Sequence, residues 1–127
     1  MVIFDTSVII DHLRQGNKAT FFKKIVDGNP EEVFAVCLVS LQELFAGQST
    51  KLALQERQIL DLLENLEILP YPRDVAVLAG KITRDLPTNI EFADAAIAAT
   101  AIVNGAQLAT LNGKDFAGIK ELELYKI

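Results

Sequence analysis

The feature that most constrains this chain is Val33-Phe34-Ala35-Val36-Cys37-Leu38-Val39, an unbroken apolar run rich in β-branched residues. A strand with one wet face alternates apolar and polar side chains. A strand buried on both faces does not, and that is the condition of a parallel sheet covered by helices. The other segments obey the same plan. Met1-Val2-Ile3-Phe4 reads as a strand, Asp5-Thr6-Ser7 as a turn, and Val8, Ile9, Ile10 and Leu13 as the apolar side of a helix. A second helix, capped by Asn17, runs to about Asp27 and stops at Gly28-Asn29-Pro30. Ser40 opens a third, to about Gln48, and apolar residues at 52, 54, 59, 60, 62, 63 and 66 mark an amphipathic partner for it between Lys51 and Leu66. Residues 66–69 predict a strand, 72–86 a helix ended by Pro87-Thr88-Asn89, 91–104 another helix, and 107–110 and 122–125 the last two strands. Strands alternating with helices throughout predict one α/β domain over residues 1–127, a three-layer α/β/α sandwich around a mostly parallel central sheet.

In such a sandwich, sites form beyond the carboxyl ends of the strands. Asp5, Ser40 with Glu43, and Thr110 with Asn112 each follow an expected strand, so three parts of the chain deliver polar groups to one edge. A net charge of −5 argues against a protein that coats nucleic acid, because phosphate binding needs Lys and Arg to replace counterions. Excess carboxylate is compatible with local phosphate chemistry if some of it surrounds divalent cations, which reverse the sign of the local field. The longest nearly apolar stretch, 92–103, contains Asp94 and falls short of the ~20 residues that span a bilayer, so no membrane role is expected. Asp5 interrupts the only apolar run at the start, and one cysteine, Cys37, sits in the strand-forming run as packing. A cytoplasmic, reducing location fits both.

Each acid has a structural reading beside a chemical one. Asp5 can cap the first helix, unless Thr6 or Ser7 does so and frees it as a ligand. Ser40-Leu41-Gln42-Glu43 has the spacing of a capping box, in which Glu43 would bond back to the Ser40 amide. Asp94 opens a helix that is apolar almost all round, and its neighbours three, four and seven residues on are Ile97, Ala98 and Ala101. An unpaired carboxylate there would cost several kcal/mol or become neutral, so something should hold it, although a first-turn acid also suits the helix dipole. Asp115 follows the Asn112-Gly113 turn and is either a cap for a short helical turn or a metal ligand. His12, the only histidine, lies near Arg14 and Gln15 and reads as a surface side chain.

Four acids spread along the chain, with almost no Cys or His, form an oxygen-only donor set, which selects magnesium or manganese over zinc or copper. Carboxylate-held magnesium suits phosphoryl chemistry, and the residues by themselves point to a metal-dependent phosphodiesterase. A dehalogenase-like phosphatase would need a second Asp where Ser7 stands. No central strand presents a phosphoacceptor Asp, and no Walker loop or Gly-x-Gly-x-x-Gly supplies a nucleotide cradle.

Four segments, in order, resemble the PIN-domain family and within it VapC-type toxins of toxin–antitoxin pairs. They are Val2-Ile3-Phe4-Asp5-Thr6-Ser7-Val8-Ile9-Ile10-Asp11, Val39-Ser40-Leu41-Gln42-Glu43-Leu44-Phe45-Ala46-Gly47, Asp94-Ala95-Ala96-Ile97-Ala98-Ala99-Thr100-Ala101 and Leu108-Ala109-Thr110-Leu111-Asn112-Gly113-Lys114-Asp115-Phe116. The resemblance covers nearly the whole chain. It implies a PIN-like fold and an endoribonuclease using Mg2+ or Mn2+, with Asp5, Glu43 and Asp94 as family acids and Thr6 or Ser7 in support. The fourth position falls on Asn112 or Asp115, with Thr110 beside them. It further implies an RNA substrate, a homodimer, and a cognate antitoxin whose tail lies in a groove formed by the helical pair from 40 to 66. The alternative from another class is a catalytically weak PIN-like module that binds RNA or protein.

Overall fold

A computed structural model describes residues 1–16 and 18–126, with the side chain of Gln48 outside the description. Five strands, β1 (Val2–Phe4), β2 (Phe34–Cys37), β3 (Glu67–Leu69), β4 (Gln107–Ala109) and β5 (Glu123–Leu124), form one sheet in the order β3-β2-β1-β4-β5. Every pairing is parallel, with Ile3 opposite Ala35 on one side and Leu108 on the other. The expected sheet was mostly parallel; the described one is entirely so.

Strand alternation divides the core. Val2, Phe4 and Val36 pack under α1 (Thr6–Gln15), α2 (Phe21–Gly28), α3 (Leu38–Ala46) and α4 (Ala53–Leu63), through Val8, Ile9, Phe22, Ile25, Leu44, Ile59 and Leu63. Ile3, Ala35, Cys37 and Leu108 face the other way, against Ile97, Ala98 and Ala101 of α6 (Phe92–Val103). Alanines 95 and 99 on the same helix let α5 (Arg73–Asp85) approach through Val75 and Ala79. The result is the three-layer α/β/α sandwich expected from the pattern. Cys37 is buried as expected, 3.2 Å from the Thr100 hydroxyl.

Local chemistry sets where the helices begin and end. Helix α6 closes in a Schellman motif: Gly105 takes φ 62°, its N–H donates to Ile102, and the Ala106 N–H donates to Ala101, turning the chain into β4. Helix α2 starts later than the sequence suggests. Its cap is Thr20, whose hydroxyl accepts from the Lys23 N–H at 3.2 Å, while Asn17 lies outside the described residues. The same Thr20 hydroxyl is 2.7 Å from Nδ1 of His12, whose ring packs 4.6 Å from that of Phe22. Burial and the charge of Lys23 hold the His12 pKa below its ordinary value, which favours a neutral ring accepting from Thr20. His12 is therefore a half-buried tie between α1 and α2, not the surface side chain expected.

Candidate functional site

The chain leaves β1 toward β2 and β3, then crosses back to place β4 on the opposite side of β1. The boundary between β1 and β4 is thus the topological switch point, where a crevice opens at the carboxyl end of the sheet. Asp5 follows β1 and Thr110 follows β4, so both stand at that boundary, and the Asp5 N–H donates to the Ala109 carbonyl at 2.9 Å.

Asp5 occupies the N-cap position of α1 but its side chain makes no capping bond. It is 4% exposed, and one oxygen, Oδ2, accepts from both the Ser7 hydroxyl at 2.8 Å and the Thr110 hydroxyl at 2.7 Å. The Leu111 N–H reaches back to Ser7 Oγ at 3.4 Å, and the Asn112 N–H donates to Thr110 Oγ1 at 3.0 Å, which fixes both hydroxyls in turn. Among the described residues no hydrogen bond reaches the other oxygen, Oδ1. A carboxylate anchored through one oxygen with the other unused is a donor suited to a hard cation.

Glu43 is held differently from the capping box. Helix α3 starts at Leu38 with Cys37 as its N-cap, so Ser40 already lies inside the helix, fully buried. Strand β2 runs directly into α3, so Ser40 is not the N-cap residue that the capping box requires. Instead Oε1 of Glu43 lies 2.7 Å from the Thr6 hydroxyl, which is also 2.9 Å from Ser40 Oγ. Thr6 has one proton; donating it to the carboxylate leaves its oxygen to accept from Ser40. The Asp5-Thr6-Ser7 turn thus fastens two acids at once, Asp5 through Ser7 and Glu43 through Thr6.

Asp94 is in the first turn of α6 and is half-buried. Burial, followed by the charges of Asp5, Asp115, Glu43 and Glu91, pushes its pKa from the ordinary 3.8 up to about 6. Three carboxylates from other parts of the fold, and Glu91 at the start of the same helix, therefore act on this one. Asp115 lies exposed in a 3-10 turn, Gly113–Phe116, whose N-cap is Asn112, so Asp115 does not cap it. Asn112 is exposed and makes no side-chain capping bond. Glu91, the N-cap residue of α6, was missed from sequence; its position one turn before Asp94 was the available signal.

The arrangement concentrates negative charge at the switch point with oxygen donors alone, which fits magnesium or manganese chemically. The fit stops at chemistry. Among the described residues no three His, Cys, Asp or Glu side chains form a group tight enough to hold an ion. Mutual repulsion, which adds to burial in raising Asp94, also opposes such convergence.

The family model described as "PIN domain" matches residues 2–122. Ribonuclease VapC10 of Mycobacterium tuberculosis is 32% identical over 126 residues, covering 97% of this chain and 91% of the relative. A toxin–antitoxin complex from Klebsiella pneumoniae is similar in structure with TM-score 0.77 and 28% identity, over 100% of both chains. VapBC2 from Rickettsia felis, solved with a DNA fragment from its promoter, gives TM-score 0.86 at 22% identity, covering 98% of each chain.

Proposed function

The chain belongs to the PIN domain family, and on that premise we propose that it is a divalent-metal-dependent endoribonuclease, the toxin of a type II toxin–antitoxin pair. The observation that carries the chemistry is Asp94, raised to about 6 by burial and by acids brought from four other positions to the switch point. A group so placed either gives up its charge or shares it with a cation.

In this reading Asp5 and Asp94, with Glu43 and Asp115, would hold Mg2+ or Mn2+, the cation's charge offsetting their mutual repulsion, and the ion would neutralise the scissile phosphate and lower the pKa of the attacking water. Asp5 presents Oδ1 because Ser7 and Thr110 restrain Oδ2. Glu43 keeps its orientation through Thr6 and Ser40. Asp115 and Asn112 are both exposed on the turn after β4, and of the two this reading takes Asp115, whose charge acts on Asp94, as the fourth ligand. Residues 1–127 act as one PIN-like domain, as a cytoplasmic homodimer silenced by a cognate antitoxin. No helix among the described residues is long and apolar enough to cross a membrane. A relative solved as a toxin–antitoxin complex supports a protein partner, and the exposed Leu52, Leu54 and Leu60 on and before α4 are the apolar surface this reading assigns to it.

The test is cleavage of RNA by the purified chain with Mg2+, with Mn2+ and with chelator, alongside Asp94→Asn. Cleavage that needs the cation and disappears in the variant is expected. RNA left intact by the wild type with either cation would leave the binding-module alternative in its place.

A further inference from the structure

Beside the carboxylates runs a shallow trough of about 500 Å³, lined by Ser7, Ile10, Asp11, Arg14, Gln15 and Leu111. Two of its residues belong to the site's own network. Ser7 donates to Asp5 Oδ2, and the Leu111 N–H reaches Ser7 Oγ, so the trough starts where the site ends. Its floor is one face of α1, since Ser7, Ile10, Asp11 and Arg14 recur at helical spacing. Arg14 stands at the far end, about 10 Å along the helix from Ser7 at 1.5 Å rise per residue.

The chemistry along this path changes sign. At the site the charge is negative, yet Arg14, the one cation lining the trough, is exposed and makes no ion pair among the described residues, so its guanidinium is free to meet an anion there. Asp11, the one acid in the trough, accepts from Gln15 Nε2 at 3.3 Å rather than pairing with Arg14. Leu111 is 47% exposed and forms an apolar lip opposite the helix. An unpaired guanidinium, an apolar lip and continuity with a phosphate-cleaving site match one ligand: a single strand whose phosphates follow the helix and whose bases turn outward.

Resting on the nuclease reading above, we propose that this trough seats the single-stranded RNA flanking the scissile phosphate, with Arg14 binding a backbone phosphate and Leu111 lying against a base. Arg14 is a positioning residue, remote from the reacting atoms.

The experiment measures binding of a short, labelled, random-sequence RNA by fluorescence anisotropy across a salt series, in an Asp94→Asn background that does not cleave. Adding Arg14→Gln should reduce the slope of log affinity against log salt by about 0.7, the contribution of one phosphate contact on a single strand. The parent's advantage over that variant should then narrow by about 2.5-fold between 50 and 200 mM salt. Arg14→Lys should keep most of the slope, Arg84→Gln should leave it unchanged, and Asp11→Asn should tighten binding. Equal slopes for the parent and Arg14→Gln, no RNA binding by the parent, or weakening by Asp11→Asn would overturn the trough assignment. Failure of the nuclease reading shows separately, as wild-type protein that leaves RNA intact with Mg2+ and Mn2+ while the slope still depends on Arg14.

Discussion

Asp5 and Asp94 both stand at helix starts on the same edge of the sheet, and the fold keeps them in opposite ways. Asp5 is almost wholly buried and has two hydroxyl donors on one oxygen. Asp94 is more open to water, has no hydrogen bond among the described residues, and has its pKa raised by burial and then by the charges of four other acids. Burial alone therefore does not decide how a carboxylate fares. Charge-assisted donors make the deeper acid tolerable, while the shallower one is left to repel its neighbours until a proton or a cation intervenes. One is an anchored carboxylate, the other a poised one.

The largest effect that would test this pairing is on cleavage. Asp5→Asn and Asp94→Asn should each lower the initial rate with Mg2+ by at least ~10²-fold, since each removes a charge on which cation binding depends. An unchanged rate in either pure variant would take that residue out of the site. Glu43→Gln should lose activity by a similar factor yet keep its stability, because an amide oxygen still accepts from Thr6. Full activity there would reduce Glu43 to a structural acceptor.

Next in size is Thr110→Val, which keeps the volume and removes one of the two donors that sustain Asp5. Leaving a buried charge short of a donor should destabilise the chain by about 1.5–3 kcal/mol in urea unfolding. A loss below ~0.5 kcal/mol would mean that the hydroxyl does not sustain Asp5.

The pH dependence tests the other member. With its pKa raised to about 6, Asp94 binds a proton more tightly folded than unfolded. Its contribution to stability is then fully present below about pH 4 and lost as pH rises through about 6. Asp94→Asn has no such loss, so in chelator at neutral pH it should be more stable than wild type. The gain should be about 1 kcal/mol once solvent screening of a partly exposed group is discounted. Added Mg2+ should raise the melting temperature of the wild type more than that of the variant, because the ion stabilises whichever folded state binds it. Equal melting temperatures at pH 4 and pH 7.5 for both proteins would dissolve the contrast with Asp5.

The smallest change expected is Ser40→Ala. It breaks the hydroxyl pair with Thr6, worth about 1 kcal/mol, but places a better helix former inside α3, so the net loss should be about 0.5 kcal/mol. Hydrogen exchange at Thr6 and Glu43 would register the loosened pair. A loss of 2 kcal/mol would instead indicate that Ser40 has a larger structural role than one hydrogen bond.

How much of this was legible follows from the range of each interaction. Apolar runs and helical periodicity are written into neighbouring residues, so strand–helix alternation, the buried strand at 34–37, the all-round apolar helix at 92–103 and the oddity of an acid on it could be read without coordinates. The capping box was the instructive miss. Ser40 and Glu43 have its spacing, but β2 passes into α3 at Cys37, and packing against Thr6 claims both side chains before a cap can form. Periodicity cannot report such a claim, because the competitor is 34 residues away in the chain for Ser40 and 37 for Glu43.

The amino-acid sequence determined the layers, because hydrophobic burial at period 2 or 3.6 depends on local order alone. It also narrowed the chemistry open to the proposed site, because oxygen donors without thiol or imidazole restrict the metals that would fit. Tertiary structure decided which polar groups meet. The crossover that puts β4 beside β1 brings Thr110 to an acid 105 residues earlier, and that contact, with Ser7, is what leaves one oxygen of Asp5 unused. Strand order is a property of the whole packed sheet, and the hydroxyl that holds a buried charge is therefore chosen by the fold rather than by the neighbouring sequence.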